Sequence, residues 1–225
     1  SATDEGYTEE RGREIIQAVS RHGEPETVEW RIERQSGERI WVEVTITTAK
    51  INGSERVLTI QRDITERKRR EREYEQIFNG VQDAIAIIDP ETHEMVEVND
   101  TFCEMVGYER DALFDQGIEG LSATDDGYTR DRAETFIDDV LDAGEARSYE
   151  WVLETSTGDK RVIEVVGTTA QIGGELRYIS INRDITERKR RKREFEQIFN
   201  SVNDAIAVHD PETYEILETN QTMCE

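Results

Sequence analysis

The sequence predicts an α+β fold: five-stranded antiparallel sheets with helices on one face, repeated along the chain. Three observations predict it. First, the chain repeats itself at an offset of 121 residues. Residues 1–104 align without a gap on 122–225, and 56 of the 104 pairs are identical. That period is the size of a domain, far above the roughly 20–50 residues of a solenoid repeat. Second, within one period the hydrophobic spacing reads helix, two strands, a run of small helices, three strands. Third, turn signals separate the strand-like runs: Asp89-Pro90, Thr157-Gly158-Asp159 and Gly173-Gly174.

The central copy, residues 66–187, justifies each element in turn. Glu66–Val81 has no proline and carries Tyr74, Ile77, Phe78 and Val81 at three- and four-residue spacing, an apolar stripe on a helix. Upstream of that stripe, the basic run Arg67–Arg70 is mixed with Glu66, Glu71 and Glu73, giving pairs such as Glu66–Arg70 at four-residue spacing, which reads as a solvated or interhelical charged face rather than a nucleic-acid patch. Ala84–Asp89 is a short buried strand ended by Asp-Pro, and Glu94–Val98 is its hairpin partner. Asn99-Asp100 caps a short helix, Thr101–Val106, closed by Gly107. Short irregular helices fill 108–127. Thr129–Ala143 places Phe136, Ile137, Val140 and Leu141 at helical spacing, with Gly144 as the stop. Three strands follow. Tyr149, Trp151 and Leu153 alternate with Glu150 and Glu154, Arg161–Ala170 is long, and Gly173-Gly174 turns the chain into Leu176–Asn182. The first copy has Asn52-Gly53 at that turn, the favoured two-residue hairpin pair.

Composition narrows the setting. The net charge is −23, and only five of the 28 cations are lysine. Trp30, Trp41, Trp151 and the regular strand runs argue against disorder. A carboxylate-rich, lysine-poor surface fits a salt-loving microbe, where screening removes the self-repulsion, and such a charge opposes nucleic-acid binding. Cys103 and Cys224 occupy one repeat position in successive copies, so they are not partners within a unit, and two lone thiols point to a reducing, cytoplasmic compartment. The sequence has no 18-residue apolar run and no signal peptide, so no membrane span is expected in this segment.

Three segments in order carry a family resemblance: DAIAIIDPET from Asp83, VNDTFCEMVGYERDAL from Val98, and RDITERK, which occurs twice, from Arg62 and Arg183. The chain resembles the PAS domain family over essentially its whole length. It is similar to the tandem sensory portions of microbial proteins such as haloarchaeal multi-PAS sensor histidine kinases. The resemblance implies a strand order 2-1-5-4-3, with units joined by signalling helices. It divides the chain into the C-terminal half of one unit (1–65), a linker helix (66–82), a complete unit (83–187), a second linker helix (188–203) and the start of a third unit (204–225). The two partial units together lack about 17 residues of a whole one, so those of different chains have complementary content.

The resemblance also places Asp63, Ile64 and Thr65, and again Asp184, Ile185 and Thr186, at the junction of the last strand and the outgoing helix. There Asp and Thr are expected to cap the helix while Ile anchors it to the core. A cleft between sheet and helices is expected to be lined by Ile87, Val98, Phe102, Val106, Phe136, Trp151, Ile163 and Ile179. Two readings stay open: a relay and dimerisation module whose interior is filled by side chains, which is preferred, and a sensor holding a small apolar ligand. A PAS-containing transcriptional regulator is a third. As a relay the segment is non-catalytic and passes a signal to a downstream output domain such as a histidine kinase. Self-association is expected through the helix stripe Tyr74, Ile77, Phe78 and Val81 and the unit surface.

Cofactor signatures of the family are not found. Flavin-holding relatives carry a cysteine where this chain has Phe114–Ile118, and haem-binding relatives carry a histidine on the long helix, where 129–143 has none. His22, His93 and His209 are not repeated between copies, and no metal spacing exists. Gly173-Gly174-Glu175-Leu176 reads as a hairpin turn and not as a cyclase signature, and no phosphate-cradling loop is present.

Overall fold

The computed structural model describes residues 9–224 and divides into two units, with the boundary at Ile77/Phe78. The first unit has helix α1 (Glu9–His22), strands β1 (Glu26–Glu33), β2 (Arg39–Ile51) and β3 (Ser54–Asp63), and most of helix α2 (Thr65–Gly80). Its strands form a three-stranded antiparallel sheet in the order β1-β2-β3. One face of α1 buries Ile15 and Val19 with Ile46 of β2, and Val28, Trp30 and Val44 border them. The β2–β3 turn places Asn52 at φ 52° and Gly53 at φ 79°, the left-handed pair that a tight hairpin needs.

The second unit begins with β4 (Ala84–Ile88) and β5 (Met95–Val98), followed by α3 (Asp100–Val106) and α4 (Arg110–Leu121). After a 3₁₀ turn at Thr124–Asp126 come α5 (Arg130–Ala143), β6 (Arg147–Glu154), β7 (Lys160–Ile172) and β8 (Glu175–Asp184). The five strands form one antiparallel sheet in the order β5-β4-β8-β7-β6, which is the expected 2-1-5-4-3. The sequence-predicted irregularity of 108–127 is a helix broken at Gly117, whose φ of 62° no helix accommodates. Asn99 accepts the Phe102 amide as N-cap of α3, and Gly107 closes that helix in the left-handed region at φ 75°.

Helix α6 (Thr186–Ser201) leads to β9 (Ala207–His209), β10 (Ile216–Thr219) and the short α7 (Gln221–Cys224). The repeat is accurate down to single atoms. Asn99 is fully buried; its Oδ1 accepts the Ile85 amide, and its Nδ2 donates to Phe78 O and Asp83 O. Asn220 makes the same contacts with the Ile206 amide, Phe199 O and Asp204 O. In the turn after β4, Asp89 accepts the amides of Glu91 and Thr92 and forces His93 to φ 57°; Asp210 and Tyr214 (φ 61°) repeat the arrangement.

The apolar stripe of α2 divides when folded. Phe78 is buried at 8% exposure, whereas Ile77 is 73% exposed and Tyr74 and Val81 are also open. Phe78 therefore belongs to the core and not to a free seam, because the helix end is held by the Asn99 side chain at the Phe78 carbonyl. The same split recurs at buried Phe199 and exposed Ile198. No helix among the described residues is long and apolar enough to cross a membrane.

Candidate functional site

Two places in the fold carry specific chemistry: a small cavity inside the complete unit, and the junction where the last strand of each sheet turns into a helix.

The cavity lies between the sheet and the helices and has a volume of about 70 Å³. That is about half of an engineered 150 Å³ void able to take benzene. Of the residues expected at a cleft, Phe102, Trp151 and Ile163 line it. Val98 and Val106 are fully buried in the core beside it, and Phe136 packs against that core. Ile87 and Ile179 pair with each other across β4 and β8. Because their neighbours Ala86, Ile88, Tyr178 and Ser180 face the cavity, alternation along the strands sends Ile87 and Ile179 to the opposite face of the sheet.

Polar side chains that sequence reading passed over also reach the cavity. Tyr149 and Tyr178 share a hydrogen bond of 3.0 Å between their hydroxyls. Trp151 Nε1 donates to Ser122 Oγ at 3.2 Å, and Ser122 donates to Ile118 O at 2.7 Å. Ser180 Oγ donates to Asn182 Oδ1 at 3.0 Å, and Asn182 Nδ2 donates to Ala84 O at 3.1 Å. These groups satisfy one another, as buried polar groups must. Burial pushes the Tyr149 phenol well above its ordinary range, reinforced by Tyr178, and burial raises Tyr178 as well. Around the rim, Phe136 stacks on Tyr149 with centroids 4.1 Å apart, and Tyr128 meets Trp151 edge-on at 5.1 Å. The sequence signal for this cluster was comparison between copies: Tyr149, Tyr178 and Gly167 replace Val28, Val57 and Ile46. A Cβ on Gly167 would lie 2.7 Å from Tyr178 Cζ, so the glycine makes room for the ring. Cys103 is half-buried, and burial raises its thiol pKa.

The junctions share one backbone and side-chain arrangement. Asp63 Oδ1 accepts the Thr65 amide at 2.9 Å, and Asp184 Oδ1 accepts the Thr186 amide at 2.8 Å, so each aspartate satisfies a free N–H of the new helix. The threonines do not cap the helix. Each turns back to the sheet: Thr65 Oγ1 accepts the Trp41 amide at 3.0 Å, and Thr186 Oγ1 accepts the Val162 amide at 2.9 Å. The isoleucines are buried, and their amides donate to Trp41 O and Val162 O, both at 2.9 Å. A cation one turn into the helix adds an ion pair to the sheet, Lys68–Glu29 at 2.7 Å and Lys189–Glu150 at 2.6 Å. Lys68 holds the Glu29 carboxyl below its usual range. For Asp184 burial works to raise the pKa, but hydrogen bonds from Thr186 and the Arg161 ion pair at 2.7 Å outweigh it and hold the carboxyl below the ordinary aspartate value. Asp63 is lowered chiefly by its Thr65 hydrogen bonds, and its cation is Arg34, from a different part of the sheet.

Comparison with known proteins adds the family. A family model described as PAS domain matches residues 3–66 and 82–187, and a second PAS domain model matches 193–225. No curated protein matches the chain. Among solved structures, the PAS domain of an HTR-like protein from Haloarcula marismortui is 24% identical, with a TM-score of 0.46, covering 52% of this chain and 99% of that one. A domain of a sensory box sensor histidine kinase/response regulator from Geobacter sulfurreducens is 26% identical, with a TM-score of 0.42, covering 51% and 94%. A PAS domain from a two-component sensor histidine kinase is 14% identical, with a TM-score of 0.44, covering 52% and 98%.

Proposed function

This chain belongs to the PAS domain family, and on that premise we propose that it is a relay module of a signal-transduction protein, in which a change in each sheet is passed to the helix that leaves it. The observation that carries this reading is the duplicated junction. In both copies one threonine hydroxyl, one isoleucine amide and one lysine–glutamate pair tie the first turn of the helix to the sheet. A helix start held at several points to a strand cannot keep its orientation if that strand twists or slides. The polar groups of the cavity already satisfy one another, and its volume is small. Both facts support a filled, mechanical interior over a sensor with a sizeable ligand. The exposed Tyr74 and Ile77 on α2 and Val81 just past its end, with Phe195 and Ile198 on α6, support self-association of the outgoing helices. An output domain such as a histidine kinase is the receiver consistent with this arrangement.

Hydrogen exchange on the full chain tests the relay. Gly167→Ala displaces Tyr178 and so perturbs the sheet. It is expected to change exchange of the α6 amides at 189–193, and the change is expected to vanish when Thr186→Ala is added. An α6 indifferent to Gly167→Ala would refute the relay. Native mass spectrometry of the chain tests the alternative, because a retained extra mass would make the complete unit a ligand sensor.

A further inference from the structure

His93 stands in the turn between β4 and β5, away from both the cavity and the junctions. Asp89 fixes that turn: its backbone oxygen accepts the His93 amide at 2.8 Å, and its carboxylate is held by Arg177 of β8 at 2.8 Å. The imidazole meets α5, with its side chain 18% exposed. Nδ1 lies 3.6 Å from Glu134 Oε1, and Nε2 lies 3.7 Å from Asp138 Oδ1. The two carboxylates are one helical turn apart, so a single ring reaches both. Both separations are about 0.8 Å longer than the roughly 2.8 Å of a charge-assisted bond. Nε2 is buried without a hydrogen-bond partner, the one such side-chain atom among the described residues.

The chemistry of the ring makes this arrangement sensitive to one proton. A neutral imidazole has a single N–H, so it donates to one carboxylate and turns a lone pair on the other; the imidazolium has a donor for each. Arg130 already donates to Glu134 Oε1 at 2.7 Å and, with His93, holds that carboxyl below its usual range. Asp138 has no other cation among the described residues. The other charged groups on the packed elements are Asp89, Glu91 and Glu94 of the turn and Arg177 of β8, and both Glu119 of α4 and Glu94 act on Arg130. The set belongs to this unit alone. The first copy has Arg13 and Gln17 in place of Glu134 and Asp138, and the last has Tyr214 in place of His93.

We propose that His93 is a proton-operated clamp that draws α5 onto the β4–β5 turn, and that acidification is an input to this unit. Proton uptake supplies the second N–H, and the imidazolium closes on Glu134 and Asp138 together. Loss of the proton sets a lone pair against one carboxylate and releases it. Ile137, next to Asp138, and Val140 pack with Ile88 and Tyr178, so a pull on α5 reaches β4 and β8. Strand β8 then runs into the Asp184-Ile185-Thr186 junction. Acidification as an input rests on the relay reading, whereas the clamp stands without it. The closed clamp exists only in the folded chain. Its contribution is therefore gained as pH falls through the ordinary histidine range, about 6–7, and lost as pH rises through it.

Hydrogen exchange of the full chain at about pH 8 and about pH 5.5, corrected for the intrinsic rate at each pH, tests this. Protection of the α5 amides at 131–143 is expected to rise about two- to fivefold on acidification, the size of a partly exposed ion pair. His93→Asn, which keeps a residue at ease at positive φ, is expected to abolish the rise. Glu134→Gln with Asp138→Asn is expected to abolish it too, without loss of protection at the higher pH. No rise in the parent, or a rise that survives in either variant, overturns the clamp and leaves the Gly167→Ala test of the relay untouched. A rise in α5 with no change in the α6 amides at 189–193 overturns acidification as an input, and the relay with it.

Discussion

Tyr149 and Tyr178 meet hydroxyl to hydroxyl at 3.0 Å in the interior of the complete unit, and Tyr178 reaches that position by passing over Gly167. The pair joins β6 to β8 across the intervening β7, and its members are Val28 and Val57 in the first copy. Removing one hydroxyl leaves the other buried without a partner. Tyr178→Phe should therefore cost about 1–3 kcal/mol, while the double change Tyr149→Phe with Tyr178→Phe should recover much of that loss. Urea midpoints of the three variants at constant m-value check it.

Gly167→Ala tests the space beneath the ring. The added methyl would fall within van der Waals radii of Tyr178 Cζ and Cε2, at 2.7 and 2.9 Å. Overpacking of this kind costs about 1–3 kcal/mol. A thermal midpoint equal to that of the parent would show that the ring moves aside freely.

Asp184 makes acid stability depend on the junction. Its carboxyl pKa is depressed in the fold, so its contribution is present above the unfolded-chain value of about 3.9 and is lost as pH falls through the lower folded value. Asp184→Asn should be less stable than the parent at neutral pH, and the two should converge in acid. Denaturation curves at a series of pH values measure this, and a difference that does not vary with pH would count against it.

The two neighbours on α2 should behave oppositely. Phe78→Ala empties a buried site and should cost about 3–5 kcal/mol. Ile77→Asp alters a residue 73% exposed and should change stability by no more than about 0.5 kcal/mol. Circular dichroism melts separate the two.

Asn99→Asp should be severely destabilising at neutral pH, because a carboxylate cannot donate to Phe78 O and Asp83 O and would face both carbonyls while buried. Protonation restores one donor, so the defect should lessen in acid. A defect that deepens in acid would contradict this account.

Much of this architecture was legible because it is written in local chemistry. The Asp-Pro turns, the Asn-Gly and Gly-Gly hairpins and the Asn99 cap each depend on residues a few positions apart. The cavity was only partly legible. Ala84–Ile88 is apolar at every position, so period-two alternation cannot tell which residues face the helices, and Ile87 and Ile179 were assigned there when Ala86, Ile88, Tyr178 and Ser180 occupy that face. The helix stripe had the same ambiguity, since Ile77 and Phe78 are equally apolar and only docking separates them.

By itself the sequence determined the repeat, the order of helices and strands, the turn types and the Asp-Ile-Thr junctions, because a period, a proline or a left-handed glycine acts within a few residues or recurs at a constant offset. Only the tertiary structure decided that Thr65 and Thr186 bond to the sheet and not to their own helices. It alone decided that Tyr178 fills the space over Gly167. These outcomes depend on which backbone groups and side-chain volumes long-range strand pairing brings together, and no local pattern in a chain encodes them.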